Sequence, residues 1–155
     1  MTNVLTIRLA TDTDREFIFA LSPRLAEVAT LPWHNNKVVQ KMHDDYFAEV
    51  FANSSPLQAT FIAEQNKVAL GFIHTRSHQD DVSGEACGTV PLLGVSPKVQ
   101  GLGVGKALIA AAEQWAKTQG YRLLHLEVFA NNDKAQGFYQ KLGFEAEILH
   151  LIKEI

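Results

Sequence analysis

The stretch "LLGVSPKVQGLGVGKALIAAAEQWAKTQG", from Leu92 to Gly120, constrains this chain more than any other. An apolar run leads into Gly101, Gly103 and Gly105, and a helical pattern then places Val104, Ala107, Leu108, Ala111, Ala112 and Trp115 on one face. A strand, a tight turn and a helix in that order leave the first N–H groups of the helix without intrahelical partners. The helix dipole adds partial positive charge at that point, and glycine backbone approaches an anion with no Cβ in the way. No Asp or Glu lies between Ser96 and Glu113, while Lys98 and Lys106 add positive charge. The turn therefore reads as an anion cradle. It is not a Walker A loop: Gln100 stands where that loop begins with glycine, and Ala107 follows Lys106 where Ser or Thr is required. Nor is it the dinucleotide fingerprint, whose third glycine is replaced by Lys106.

The flanking sequence reads as alternating elements. "VLTIRLA" is a strand, and Thr13 with Glu16 has capping-box spacing for the helix that follows. Pro23 is expected to kink or split that helix. Val39, Met42, Tyr46 and Val50 predict a second helix over 37–51, with the loop "ATLPWHNN", including Trp33 and His34, between the two. "LQATFIAE" and "VALGFIHTR" flank "QNK" as a hairpin. "ACGTVPLLGV" is a strand in which Pro91 implies a bulge or an unpaired side. Gly120 is placed to end the long helix. "YRLLHLEVF" follows as a strand, "NNDKAQGFYQKL" as a helix capped by Asn131 or Asn132, and "GFEAEILHLIKEI" as a closing strand region. This order predicts one mixed α/β (α+β) domain over residues 1–155.

The totals exclude several function classes. Fourteen Lys and Arg against 17 Asp and Glu give a net charge of −3, with no basic footprint for nucleic acid or an anionic membrane. No stretch reaches the ~18 apolar residues of a membrane helix, and the N-terminus lacks the pattern of a signal peptide. Cys87 is the only cysteine, so a reducing, cytoplasmic setting is expected. The six histidines form no metal-ligand set: His74 and His78 are four apart on a strand and loop, not on one helix face.

Gln100-Gly101-Leu102-Gly103-Val104-Gly105 is a Q-x-x-G-x-G motif, and it resembles the pyrophosphate loop of GNAT superfamily N-acetyltransferases. A second motif, "LEVFANNDKAQGFYQKLGF", resembles that family at Leu126, Val128, Asn132, Ala135, Phe138, Tyr139, Gly143 and Phe144. The resemblance runs from about Leu92 onward; the N-terminal half agrees only in element order. It implies a mainly antiparallel sheet flanked by helices on both faces, with acetyl-CoA as cofactor. The pyrophosphate is expected on the backbone of Gln100, Gly101, Leu102, Gly103, Val104, Gly105 and Lys106. The pantetheine arm is expected along Leu93, Gly94 and Val95, with Asn132, Ala135 and Phe138 beside the cofactor. Tyr139 matches the tyrosine that stands by the sulfur as general acid. For the base, Glu127 in "LEV" and Glu85 are the two candidates: Glu127 reads equally as a solvated or salt-bridged strand glutamate, Glu85 reads somewhat better as a loop glutamate beside Gly84, and a water chain is a third route. The acceptor is an amine of a small molecule or peptide, slightly favoured to be cationic by Asp80, Asp81 and Glu85. A homodimer through the C-terminal strands is the family's frequent assembly. An acyl-CoA-binding module without catalysis is the competing expectation.

Overall fold

The alternation of "TIRL" becomes strand β1 (Thr6–Leu9) in the computed structural model, which describes residues 4–99 and 101–155. The chain then enters a short helical turn through Thr11 and Asp14, not Thr13 and Glu16. The Thr11 N–H donates to Asp14 Oδ2 at 2.8 Å. Arg8 decides this register, since its guanidinium donates to both Asp14 oxygens at 2.8 Å and reaches Glu64 at 2.9 Å. The same guanidinium holds the Asp14 carboxyl below the usual carboxylate range. This long-range pairing outweighs the equally good local spacing at Thr13.

Pro23 splits the next segment as expected, into α1 (Arg15–Ala20) and α2 (Ser22–Glu27), with the proline in the first turn of α2 where its missing N–H is harmless. Helix α3 (Asn36–Ala52) starts at Asn35, whose side chain accepts from the Val38 N–H at 2.9 Å. Strands β2 (Gln58–Gln65) and β3 (Val68–Gln79) meet through Asn66 and Lys67, both with positive φ, as in a two-residue hairpin of the type that matches strand twist. Strand β4 (Ala86–Val95), helix α4 (Val104–Thr118), strand β5 (Leu124–Leu126) and helix α5 (Asp133–Lys141) complete the described elements.

The sheet runs in the order β1-β2-β3-β4-β5, antiparallel except for the parallel β4–β5 pair. Strand alternation divides the core between its two faces. Ile62 and Phe72 point to α1 and α3, packing with Ile18, Leu21 and Phe47. Ala63, Ile73 and Val90 point to α4, packing with Val104, Leu108, Ile109 and Ala112. His74 is wholly buried on the α3 face against Tyr46 and Phe47, its Nδ1 paired with the Thr60 hydroxyl at 2.8 Å. Burial pushes its pKa down to about 4, so it is a neutral core residue and no partner of His78 for a metal.

The closing strand is absent. Residues 145–155 have no regular structure and are all exposed, including Leu149 at 81% and Leu151 at 85%. A strand exists only by sharing a ladder, and among the described residues no strand pairs with the segment.

Candidate functional site

Strands β4 and β5 pair only over Gly88↔Leu124, Thr89↔His125 and Val90↔Leu126. Beyond Val90, β4 continues for five residues paired with β3 alone, through His74↔Leu92, Ile73↔Leu93, Phe72↔Gly94 and Gly71↔Val95. The outer edge of Pro91 to Val95 thus carries backbone groups with no strand beside it. A bulge marks the point of divergence: Val90 and Pro91 together face Thr75 alone, and Pro91 contributes no ladder donor. Gly94 is required for packing, since a Cβ there would sit 2.6 Å from Phe72 Cε1.

This free edge leads into the glycine turn. Gln100 lies outside the described residues. Gly101 and Gly103 have φ of 83° and 81°, and a Cβ on either would meet nothing within 4 Å, so the turn presents bare backbone to open space. Leu102 is exposed. Gly103 caps α4, and the first helical hydrogen bond runs from Ala107 N–H to Gly103 O, leaving the N–H groups of Gly103, Val104, Gly105 and Lys106 directed out of the helix end. No acidic residue lies in this first turn. Val104 is buried in the core and anchors the turn. Lys106 is exposed at its rim. At Gly105 helix α5 comes close, because a Cβ there would be 3.1 Å from Phe138 Cζ. These features suit a diphosphate: convergent donors and, among the described residues, no side chain in the cradle and no opposing charge.

Helix α5 opens at Asn132, whose Oδ1 accepts from the Ala135 N–H at 3.3 Å. Phe138 and Tyr139 pack against the α4-face core together with Leu93 and Leu126. Tyr139 sits against Phe144 at 5.8 Å between ring centroids, and its hydroxyl has no hydrogen-bond partner among the described residues. Burial raises its pKa, so it stays protonated at neutral pH.

The two glutamates are arranged differently. Glu127 follows the last residue of β5 and is exposed, so the desolvation that a central strand would impose is missing. Glu85 lies before β4, at the end away from the free edge, where Arg122 and Ser83 donate to it and hold its carboxyl below the usual range. Sequence reading missed a third group. His125 Nε2 lies 2.9 Å from Asp80 Oδ2, a contact spanning 45 positions that no local motif announces. On the far side, Phe129 packs with Leu31 on Ala26, Ala29 and Val39, and Asn131 donates to the Thr30 hydroxyl at 2.7 Å. The loop carrying Trp33 and His34 therefore stands over the segment that follows β5.

The model of the acetyltransferase (GNAT) family matches residues 24–144. This chain belongs to that family. Two solved structures share the GNAT fold over nearly the whole chain. A candidate acetyl transferase from Pyrococcus furiosus is 24% identical, with TM-score 0.79 over 98% of this chain and 100% of its own. The aminoglycoside N-acetyltransferase AAC(6')-Iy, in complex with CoA, is 25% identical, with TM-score 0.72 over 99% of this chain and 97% of its own. A mycothiol acetyltransferase of Paenarthrobacter aurescens is 44% identical over 75 residues, 48% of this chain and 23% of that protein. The chain spans about a quarter of the length of such curated relatives. Acetyl-CoA is the cofactor of this family. Among the described residues there is no cluster of metal-ligating side chains and no helix long and apolar enough to cross a membrane.

Proposed function

We propose that this GNAT chain, as one domain of 155 residues, is an acetyl-CoA-dependent N-acetyltransferase that delivers the acetyl group directly to a primary amine. The observation that carries the reading is the free edge of Pro91–Val95 running into a helix end with four outward N–H groups and no acidic residue. Acetyl-CoA, when bound, supplies an activated acetyl thioester. The N–H groups from Gly103 to Lys106 hold its pyrophosphate, and the edge of Leu93–Val95 bonds the pantetheine amides as an added strand would. One N–H of that edge faces the developing oxyanion, and the Tyr139 hydroxyl holds the proton that the departing sulfur takes. Direct transfer fits the buried Cys87, whose thiol is pushed up by burial and is therefore a poor acyl carrier. With Glu127 exposed and Glu85 tied to Arg122, the carboxylates serve to attract a cationic amine, and small cationic amines, aminoglycosides among them, are the favoured acceptors.

The test is release of free CoA thiol from acetyl-CoA across aminoglycosides, polyamines, amino acids and short peptides. Transfer to one class establishes the activity and its acceptor. Silence across the panel, with tight CoA binding retained, would replace this reading with that of an acyl-CoA-binding module.

The partner we infer is a second copy of this chain. Residues 145–155 hold Ile148, Leu149, Leu151, Ile152 and Ile155 in solvent, and β5 keeps its outer edge unpaired. Beside that edge lies a groove of about 240 Å³, floored by Ala116, Leu124, Leu142 and Phe144 and rimmed by Glu113 and Lys117. An apolar segment that fits a strand and an open strand edge on the same chain satisfy each other across a twofold axis. Light scattering should therefore give twice the 17.2 kDa of one chain, and Leu149→Asp with Leu151→Asp should halve that mass while leaving the fold intact. A wild-type monomer at micromolar concentration would refute the pairing.

A further inference from the structure

Resting on the acetyltransferase reading, we propose that His43 is a specificity-determining residue, whose ring hydrogen-bonds the bound acceptor and selects amines with a hydroxyl close to the reacting nitrogen. Helix α3 turns a row of three buried side chains toward the sheet, Val39, His43 and Phe47, each four residues from the next. That row crosses the slot. At one end Val39 packs with Ala26 and Ala29 in the cluster that takes in Phe129, on the segment continuing from β5. At the other end Phe47 packs with Ile62 and Phe72 in the cluster that takes in Leu92, on the free edge of β4. His74, the cross-strand partner of Leu92, meets the same turn of α3, its ring 5.6 Å from Tyr46 and 6.1 Å from Phe47. His43 is one turn from each end of the row, about 6 Å along the helix axis. It therefore stands over the gap between the two walls, on the α3 face, near the level of Leu92. Tyr139, Phe138 and Leu93 belong to the α4 face of that gap, so the α3 face is the side left to an acceptor.

The state of the ring says what it can recognise. His43 is only 6% exposed, and its Nδ1 is fully buried with no hydrogen-bond partner among the described residues. Nε2 is not cut off in this way, so it is the nitrogen on the open side of the ring. Burial lowers the pKa of this histidine, and a neutral ring has one N–H and one lone pair. A buried N–H without a partner is rarer than an unfilled lone pair, which puts the hydrogen on Nε2. A buried imidazole that bonds to nothing in its own chain is costly to keep, and an apolar side chain would fill the place without that cost. A partner that arrives with the substrate accounts for it. Since Nε2–H donates, that partner is an oxygen, and an ammonium group, which only donates, does not serve. A hydroxyl on a carbon near the amine does. The methylenes of a plain alkylamine would instead cover the N–H and leave it unpaired, which a polar site penalises strongly.

Two measurements test this. The first compares kcat/KM for the better used of glucosamine and neamine with that for the better used of cyclohexylamine and spermidine. The wild type should favour the hydroxylated amine by about tenfold or more. His43→Leu should lower that ratio by about tenfold, through loss on the hydroxylated amine alone, and leave CoA affinity within about twofold. His43→Gln, whose amide NH2 reaches close to the place of Nε2, should keep the ratio within about threefold. The second uses the wild type alone. Long-range proton–nitrogen NMR of the His43 ring should show the Nε2–H form, and the hydroxylated amine with CoA should shift that proton while cyclohexylamine does not. A wild type that prefers the hydroxyl-free amine, a ratio that survives His43→Leu, or an Nδ1–H ring overturns the inference. So does an equal loss on both amines, which would tie His43 to the cofactor. In all four cases the acetyltransferase reading stands, whereas a wild type that transfers to no amine removes both.

Discussion

Tyr139→Phe is expected to lower kcat by about 10²- to 10³-fold while CoA affinity stays within about twofold. The hydroxyl is held among Phe138, Phe144 and the α4-face core, and it bonds to no group of the chain among the described residues. Its removal therefore orphans no donor or acceptor, and the melting temperature should hold. Burial raises the phenol pKa above its ordinary value of about 10, so at neutral pH the proton is present and available to a leaving thiolate. A proton needed only as the C–S bond breaks affects kcat and kcat/KM equally and spares ground-state binding. Steady-state kinetics beside calorimetric titration with CoA separates the two. An unchanged kcat would take Tyr139 out of the chemistry and leave it a packing residue.

Gly103→Val is expected to weaken CoA binding by about a hundredfold or more, with only a modest loss of stability. Gly103 has φ of 81°, where a β-branched residue is strained by about 1–3 kcal/mol. Relief of that strain would rotate the peptide and turn the N–H groups of Gly103 and Val104 away from each other. If the strained turn is kept instead, the new methyl groups stand in the open space where the cradle presents bare backbone. Either way the diphosphate loses its donors or its room. Gly120→Ala is the matching control: Gly120 also has positive φ, at 83°, but it lies past the other end of α4. It should destabilise by a similar mechanism and leave CoA affinity unaltered. Equal affinity loss in both variants would mean that fold damage, not the cradle, explains the Gly103 result.

Local chemistry was legible in the chain wherever neighbours a few positions apart decide the outcome. Pro23 splitting a helix, Asn132 capping α5, Gly120 ending α4 and the bulge at Pro91 are all consequences of one residue's own backbone preferences. Two helical starts competed at Thr11 and Thr13 with similar local merit, and Arg8 and Glu64, far apart in sequence, settled it. The reading of 143–155 as a strand was sound as propensity, but a strand needs a partner, and residues 145–155 have none among the described residues.

By itself the sequence determined a bare glycine turn opening onto a helix start free of acidic residues, because glycine spacing, a helix start and the lack of acids act over a single turn. It also determined the family, through two motifs in order along the second half of the chain. Only the tertiary structure decided where β4 and β5 part, since that depends on which backbone groups find a ladder. It alone left Glu127 in solvent, gave Glu85 to Arg122 and brought Asp80 to His125. Charges and hydrogen bonds act across space with strengths set by burial and distance, and the 44 residues of intervening chain carry no trace of a 2.9 Å contact.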